Sequence, residues 1–156
     1  MRLLIAILLL SLAGCGFHLQ GTTPESSRLP ELQMTGLAAT HPLMQALQAR
    51  RSFYGEASHD VSIRLNIDKQ QWQRRALSYA NDGTAIEYEL RYEVRFSLYS
   101  ADDVLQGSHD VFVSGSFGFS PDLLLAKSVE EAALKDDVAA KVAEKIIRRI
   151  AYSPAE

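Results

Sequence analysis

The chain has 156 residues, with 16 lysines and arginines against 19 aspartates and glutamates, for a formal net charge of −3. This length is typical of one domain, and a hydrophobic content of 47% is typical of a folded protein, which excludes extended disorder. The mildly acidic balance, without a long basic run, excludes the usual electrostatic signature of a nucleic-acid-binding protein. We therefore expect no nucleic-acid partner.

The N-terminus has the pattern of a secretory signal peptide. A short positive start precedes an unbroken apolar run over residues 3–10, and small residues follow it. The string Leu12-Ala13-Gly14-Cys15 resembles the lipobox of bacterial lipoproteins, whose cysteine receives a diacylglycerol before cleavage and acylation of the new amine. The alternative is a plain secretory signal followed by a free cysteine.

The lipobox resemblance implies a boundary, an anchor and a location. It places a signal peptide at residues 1–14 and a covalent lipid on Cys15, the only cysteine in the chain. Three acyl chains are enough for stable membrane anchoring, because one chain alone binds only marginally. Gly16 follows the cysteine where an aspartate would suggest retention in the inner membrane. The resemblance therefore implies the outer membrane of a Gram-negative bacterium, on its periplasmic side.

The next elements are a tether, a short strand and a helix. Residues 15–30 are predicted to be the lipidated N-terminus and a polar tether, and residues 31–152 a single domain. A short strand is predicted at 31–35. A helix is predicted from Pro42 to about residue 51, capped by Thr40 or His41.

From Val61 onward the apolar residues alternate with polar ones, which indicates strands. We interpret residues 69–85 as a strand extension and a hairpin tip, with Asn81-Asp82-Gly83 as its turn. Every even position from Ile86 to Leu98 is apolar, and the odd positions between them are charged or polar. This pattern predicts one long strand with a wholly apolar face, and residues 104–117 are predicted to return beside it.

The C-terminal segment has helical periodicity. Ser120-Pro121-Asp122 is a helix-start signal, and an apolar stripe that includes Leu125, Val129 and Ile150 follows at steps of four and three. This predicts a helix over 121–150 that is long enough to cover the apolar face of the sheet. The order β-α-β-β-β-α predicts an α/β (α+β) sandwich, with a mixed or antiparallel sheet of about four strands covered by two helices.

The sequence contains no pattern that supports catalysis. The four histidines stand alone, without metal-binding spacing, and no nucleophile motif, phosphate-binding loop or dinucleotide fingerprint is present. We therefore expect no enzyme activity, no metal and no cofactor other than the lipid on Cys15. An outer-membrane lipoprotein enzyme would need a carboxylate or serine–histidine cleft that the sequence does not offer.

Three features of the sequence are candidates for binding. Trp72, Arg74 and Arg75 place an aromatic ring beside two guanidinium groups, which could stack on a sugar and contact a phosphate, or could be an ordinary basic strand end. Lys127, near the start of the last helix, could meet a phosphate or could simply be solvated. The charged strand face of residues 87–95 could face solvent or a polar partner.

The sequence as a whole resembles the LptE family of lipopolysaccharide-assembly lipoproteins. The resemblance covers nearly all of the chain after the signal peptide in element order. It is carried by Cys15 to Leu19 at the lipobox, by Glu87-Tyr88-Glu89-Leu90 at the start of the long strand, and by Leu125-Ala126-Lys127 with Glu130-Glu131 in the last helix.

That resemblance implies a non-enzymatic protein that partners the LptD β-barrel 1:1. It would act as a plug and assembly factor and help to insert lipopolysaccharide into the outer leaflet. The family ties a basic residue at the position of Lys127 to lipopolysaccharide, and Arg74 and Arg75 are conjectured to replace a second basic position that residues 78–81 lack. The alternative is a lipoprotein adaptor of another outer-membrane barrel-assembly machine.

Overall fold

The structure is a computed structural model that describes residues 29–54 and 58–152. Its elements follow the predicted order β-α-β-β-β-α, so the predicted α+β class with a four-stranded mixed sheet and two helices is confirmed. No helix in this part of the chain is long and apolar enough to cross a membrane. The elements are β1 (Pro30–Thr35), α1 (Pro42–Ser52), β2 (Ser58–Tyr79), β3 (Ala85–Ser100), β4 (Leu105–Gly118), a 3-10 turn (Pro121–Leu123) and α2 (Leu124–Ala151).

The strands form one sheet in the order β1-β2-β3-β4. The pair β1–β2 is parallel, and the pairs β2–β3 and β3–β4 are antiparallel. Strand β1 pairs with β2 only as far as Asn66, because the chain turns away from β2 at Gly36, which has a φ of +94°. At Gly36 a β-carbon would lie 2.3 Å from the carbonyl oxygen of Ile67, so only glycine fits.

An extra residue in β2 changes which side chains face the helices. Ile67 pairs with Phe96 and Lys69 pairs with Arg95, so Asp68 is a β-bulge. Its carboxylate accepts hydrogen bonds from the Ser97 hydroxyl (2.6 Å) and from the Asn66 amide (2.7 Å). Before the bulge the odd residues of β2 face the helices, and after it the even residues do.

Helix α1 begins as its sequence predicts. His41 is the N-cap, and its Nδ1 accepts a hydrogen bond from the backbone N–H of Leu43, with Pro42 as the first helical residue. Leu43, Met44 and Leu47 are buried against the sheet and the second half of α2. This packing is the centre of the hydrophobic core, whose other buried members include Leu65, Tyr92, Val94, Phe96, Val142, Ala143, Ile146 and Ile147.

Helix α2 begins later and buries less than its sequence predicts. Residues 121–123 form a 3-10 turn, Ser120 makes no side-chain capping bond, and the α-helix runs over Leu124–Ala151. The buried residues begin at Val138, whereas Leu125 is 82% exposed and Val129 is 64% exposed. The predicted apolar stripe is therefore part of the core only over the second half of the helix. The reason is that nothing in the described residues packs over the outward side of those first turns.

The long strand β3 shows the same division. Its even positions from Leu90 to Leu98 are buried, but Ile86 is 44% exposed and Tyr88 is only half-buried. The predicted apolar face of β3 is buried only in the part under α1 and the second half of α2. We call that part the proximal half, and we call the opposite end, formed by residues 74–88 and 117–131, the distal end.

Candidate functional site

Arg74 lies on the helix-covered face of the sheet at the distal end. Its guanidinium carbon lies 3.9 Å from the centre of the Tyr88 ring and 5.7 Å from the centres of the Phe117 and Phe119 rings. Its Nη1 donates to a carboxylate oxygen of Glu131 at 3.2 Å. Arg74 is thus held by three aromatic rings and one carboxylate from α2.

Arg75 lies on the opposite face of the sheet. Its Nε donates to Glu89 at 2.8 Å, and Glu89 belongs to the charged side of β3. Successive residues of a regular strand point to opposite faces, and no bulge separates these two arginines. The structure therefore does not bring Arg74 and Arg75 together into one site.

Trp72 is partly buried and packs against the edge of the hydrophobic core. Its ring stacks on Tyr92 with centroids 4.2 Å apart and planes 11° apart, and Tyr92 is buried. The phenol hydroxyl of Tyr92 donates to Gln70 at 2.6 Å, and burial raises the Tyr92 pKa to about 12. The ring of Trp72 that the sequence suggested for sugar stacking therefore already has an aromatic partner on one side.

Lys127 lies in the first turn of α2, on the same side of the sheet as Arg74. Its side chain is 22% exposed, and its Nζ donates to Glu130 at 2.6 Å. A β-carbon at Gly118, the last residue of β4, would lie 3.9 Å from Nζ. Arg74 pairs with Glu131, and Lys127 pairs with Glu130, the residue before Glu131 in α2. The structure therefore places both predicted cations at the distal end of the domain.

The distal end also exposes an unusual amount of apolar surface. Seven large apolar side chains there are exposed: Leu77, Tyr79, Ile86, Leu123, Leu124, Leu125 and Val129. An apolar patch of this kind beside paired cations marks an interaction surface more often than a solvated one. Periodicity could not reveal this feature, because a residue on an apolar stripe is expected to be buried. The only sequence signal is the run Leu123-Leu124-Leu125, which lies on more than one side of a helix.

The uncovered face of the sheet is polar and rich in ion pairs. Arg95 makes two hydrogen bonds to Asp110, at 2.8 and 3.2 Å, and these hold the Asp110 pKa below its ordinary value. Arg91 pairs with Glu93 at 2.7 Å and lies over the ring of Phe112, 3.8 Å from its centre. Phe112, on the edge strand β4, is an exposed aromatic residue of this charged surface.

The predicted lipidation site and the grouping of possible metal ligands remain to be described. Cys15 lies outside the residues that the structure describes, so its lipidation stays a prediction. Within residues 29–54 and 58–152, no three histidines, cysteines, aspartates or glutamates are grouped as metal ligands would be.

Comparisons with known proteins give the family. The model of the family "LptE: Lipopolysaccharide-assembly" matches residues 31–150. A protein of Photorhabdus laumondii that carries the name LPS-assembly lipoprotein LptE is 27% identical over 96% of this chain and 84% of its own length. Its namesake from Pectobacterium atrosepticum is 27% identical over 95% of this chain and 83% of its own length.

Solved structures of lipoproteins share the fold. A minor lipoprotein from Acinetobacter baumannii superposes with a TM-score of 0.65 at 19% identity, over 79% of this chain and 91% of its own. Lipoprotein B from Nitrosomonas europaea superposes with a TM-score of 0.66 at 24% identity, over 87% of this chain and 90% of its own. The chain therefore belongs to the LptE family of lipopolysaccharide-assembly lipoproteins, which are assembly factors and not enzymes, as the sequence predicts.

Proposed function

We propose that this protein is an outer-membrane lipoprotein, anchored through Cys15, that partners the LptD β-barrel 1:1. In this role it fills the barrel lumen as a plug, assists barrel assembly and helps to insert lipopolysaccharide into the outer leaflet. The observation that carries the proposal is the family match over residues 31–150, which spans every element of the fold.

The uncovered sheet face supports the choice of a β-barrel lumen as the partner surface. The interior of a large outer-membrane barrel is polar and water-filled. Side chains of both signs alternate on this face and neutralise one another, as in the pairs Arg95–Asp110 and Arg75–Glu89. Such a surface loses little on approaching another polar, mixed-charge surface, because its charges already have partners.

Arg74 and Lys127 are the residues that we propose for contact with lipopolysaccharide. Both lie at the distal end, beside exposed apolar side chains, so a phosphate and an acyl chain of one amphiphile could be contacted together. Arg75 faces the other side of the sheet, so any contact that it makes belongs to a different surface. Glu130 and Glu131 must release their cations, which costs about 1 kcal/mol or less for each pair because both pairs lie at the surface.

The first experiment is purification from native outer membrane in mild detergent. We expect a large β-barrel, identified by mass spectrometry as LptD, in 1:1 ratio. Recovery of the protein alone, or with a different barrel-assembly machine, would contradict the proposal and favour the adaptor role. Cys15→Ser tests the lipid: because lipidation precedes cleavage, the mass of the variant should lack the acyl chains and retain residues 1–14.

A second experiment locates the partner surface. A photo-crosslinking residue at Phe112, on the uncovered sheet face, should capture the barrel in cells. The same residue at Lys141, on the exposed side of α2, is the control position. Crosslinks from position 141 and none from position 112 would place the barrel on the helical side and contradict the assignment of the sheet face.

A further inference from the structure

The edge of β2 between Lys69 and Ala76 has no partner strand within the described residues. On one side β2 pairs with β3 from Ile63 to Tyr79, but on the other side β1 ends at the level of Asn66. Every second residue of such an edge points its backbone N–H and C=O groups away from the sheet. An edge of this kind is a template for one more strand.

The geometry of this edge is regular enough to accept a strand. Residues Lys69–Ala76 pair with β3 without a register shift, and the shifts lie beyond both ends, at Asp68 and Leu77. The stretch contains no proline or glycine. Lys69, Gln71, Gln73 and Arg75, on the uncovered face, are exposed. Bulges and prolines are common means of blocking an edge, and this stretch uses neither.

The charge of the edge selects its partner. From Lys69 to Tyr79 there are three basic residues and no acidic one, although the whole chain is acidic. None of the ion pairs among the described residues involves Lys69. Acidic side chains on an added strand would lie beside Lys69 and Arg75 on the uncovered face. An apolar side chain would lie beside Trp72 on the covered face.

A second copy of this chain fits the edge poorly in the register centred on Trp72, the middle of the stretch. Antiparallel pairing of two β2 edges about Trp72 would place Lys69 directly opposite Arg75 at both ends. Like charges directly opposite one another on neighbouring strands are destabilising. We propose that the Lys69–Ala76 edge binds an extended polypeptide segment, in which acidic and apolar residues alternate, as a fifth strand of the sheet.

The test uses the full-length protein in detergent and two synthetic peptides. One is an eight-residue peptide of alternating glutamate and valine with blocked ends, and the other replaces each glutamate by lysine. We expect the glutamate peptide to bind, and the lysine peptide and an N-methylated glutamate peptide to fail, because N-methylation removes the backbone donors. Amide hydrogen exchange should slow at alternate residues of Lys69–Ala76 only when the glutamate peptide is bound.

Charge-reversal variants test the recognition. Lys69→Glu combined with Arg75→Glu should weaken binding of the glutamate peptide about tenfold, since two favourable cross-strand charge pairs become repulsive. Lys141→Glu, far from the edge, should leave binding unchanged.

Three results would overturn the proposal: equal binding of both peptides, binding that survives N-methylation, or binding without slower exchange in Lys69–Ala76. A dimer in sedimentation whose β2 amides are protected without any peptide would also overturn it, in favour of a second copy.

Discussion

Strands β2 and β3 and helix α2 run through both ends of this domain, yet their apolar sides are buried only in the proximal half. In α2, Val142 is fully buried and Val129 is 64% exposed. In β3, Phe96 is buried and Ile86 is 44% exposed. In the proximal half α1 completes the core, whereas at the distal end the hairpin between β2 and β3 extends beyond it.

This difference shows what amphipathic periodicity specifies. A stripe of apolar residues fixes which side of a helix or strand is apolar, but it does not supply the element that covers it. In the proximal half the covering element is part of the chain. At the distal end the described residues provide none, so the apolar surface there is available to a lipid or to a protein partner. The following predictions test this contrast, starting with the largest effect.

The sharpest test makes the same substitution twice in α2. Val142→Asp places an unpaired carboxylate in the core and should cost more than about 4 kcal/mol of unfolding free energy, enough to prevent folding. Val129→Asp should change the unfolding free energy by less than about 0.5 kcal/mol, because the side chain is already in water. Urea denaturation followed by circular dichroism measures both. Equal losses would show that the distal half of α2 is packed as tightly as the proximal half.

Two glycines with positive φ, one in each part of the domain, allow the same comparison to be made for the backbone. Gly36 has φ +94° and no room for a β-carbon beside Ile67, so Gly36→Ala should cost about 3 kcal/mol. Gly83, in the distal hairpin, has φ +84° and open space around it, so Gly83→Ala should cost only about 1 kcal/mol. Thermal denaturation of both variants provides the measurement, and a larger loss at Gly83 would contradict the contrast.

Tyr92 makes the stability of the proximal core depend on pH. Its raised pKa of about 12 means that the folded protein holds this proton more tightly than the unfolded chain does. The contribution of this proton to the free energy of unfolding is fully present below pH 10 and is lost as the pH rises toward 12. The total loss should be less than about 3 kcal/mol. Tyr92→Phe should remove this decline in urea titrations between pH 9 and 12. A variant that declines as steeply as the wild type would assign the effect to another group.

Lys127 should matter for binding and hardly at all for folding. Lys127→Asp breaks only a surface pair with Glu130, in which the lysine is 22% exposed, so the unfolding free energy should change by less than about 1 kcal/mol. Binding of lipopolysaccharide to the purified protein should weaken several-fold. Lys141→Asp, which breaks a similar exposed pair with Asp137, is the matched control. Equal binding by the two variants would remove Lys127 from the proposed contact.

Much of the fold follows from the sequence, and the reasons are local. The alternation from Ile86 to Leu98 predicted the long strand, and Pro42 with His41 predicted the start of α1, as observed. The candidate site was less predictable. Arg74 and Arg75 are neighbours in sequence, and their common role could be judged only once each was assigned to a face of the sheet.

The sequence by itself determined the order of the elements, the apolar side of each and the family, because these depend on residue type and spacing. Only the tertiary structure decided two further features. The bulge at Asp68 shifts the alternation of β2 by one residue, which places Arg74 beneath α2 and Arg75 on the opposite face. The position of α1 decides which part of each apolar stripe is buried, because burial requires a surface that the stripe itself does not encode.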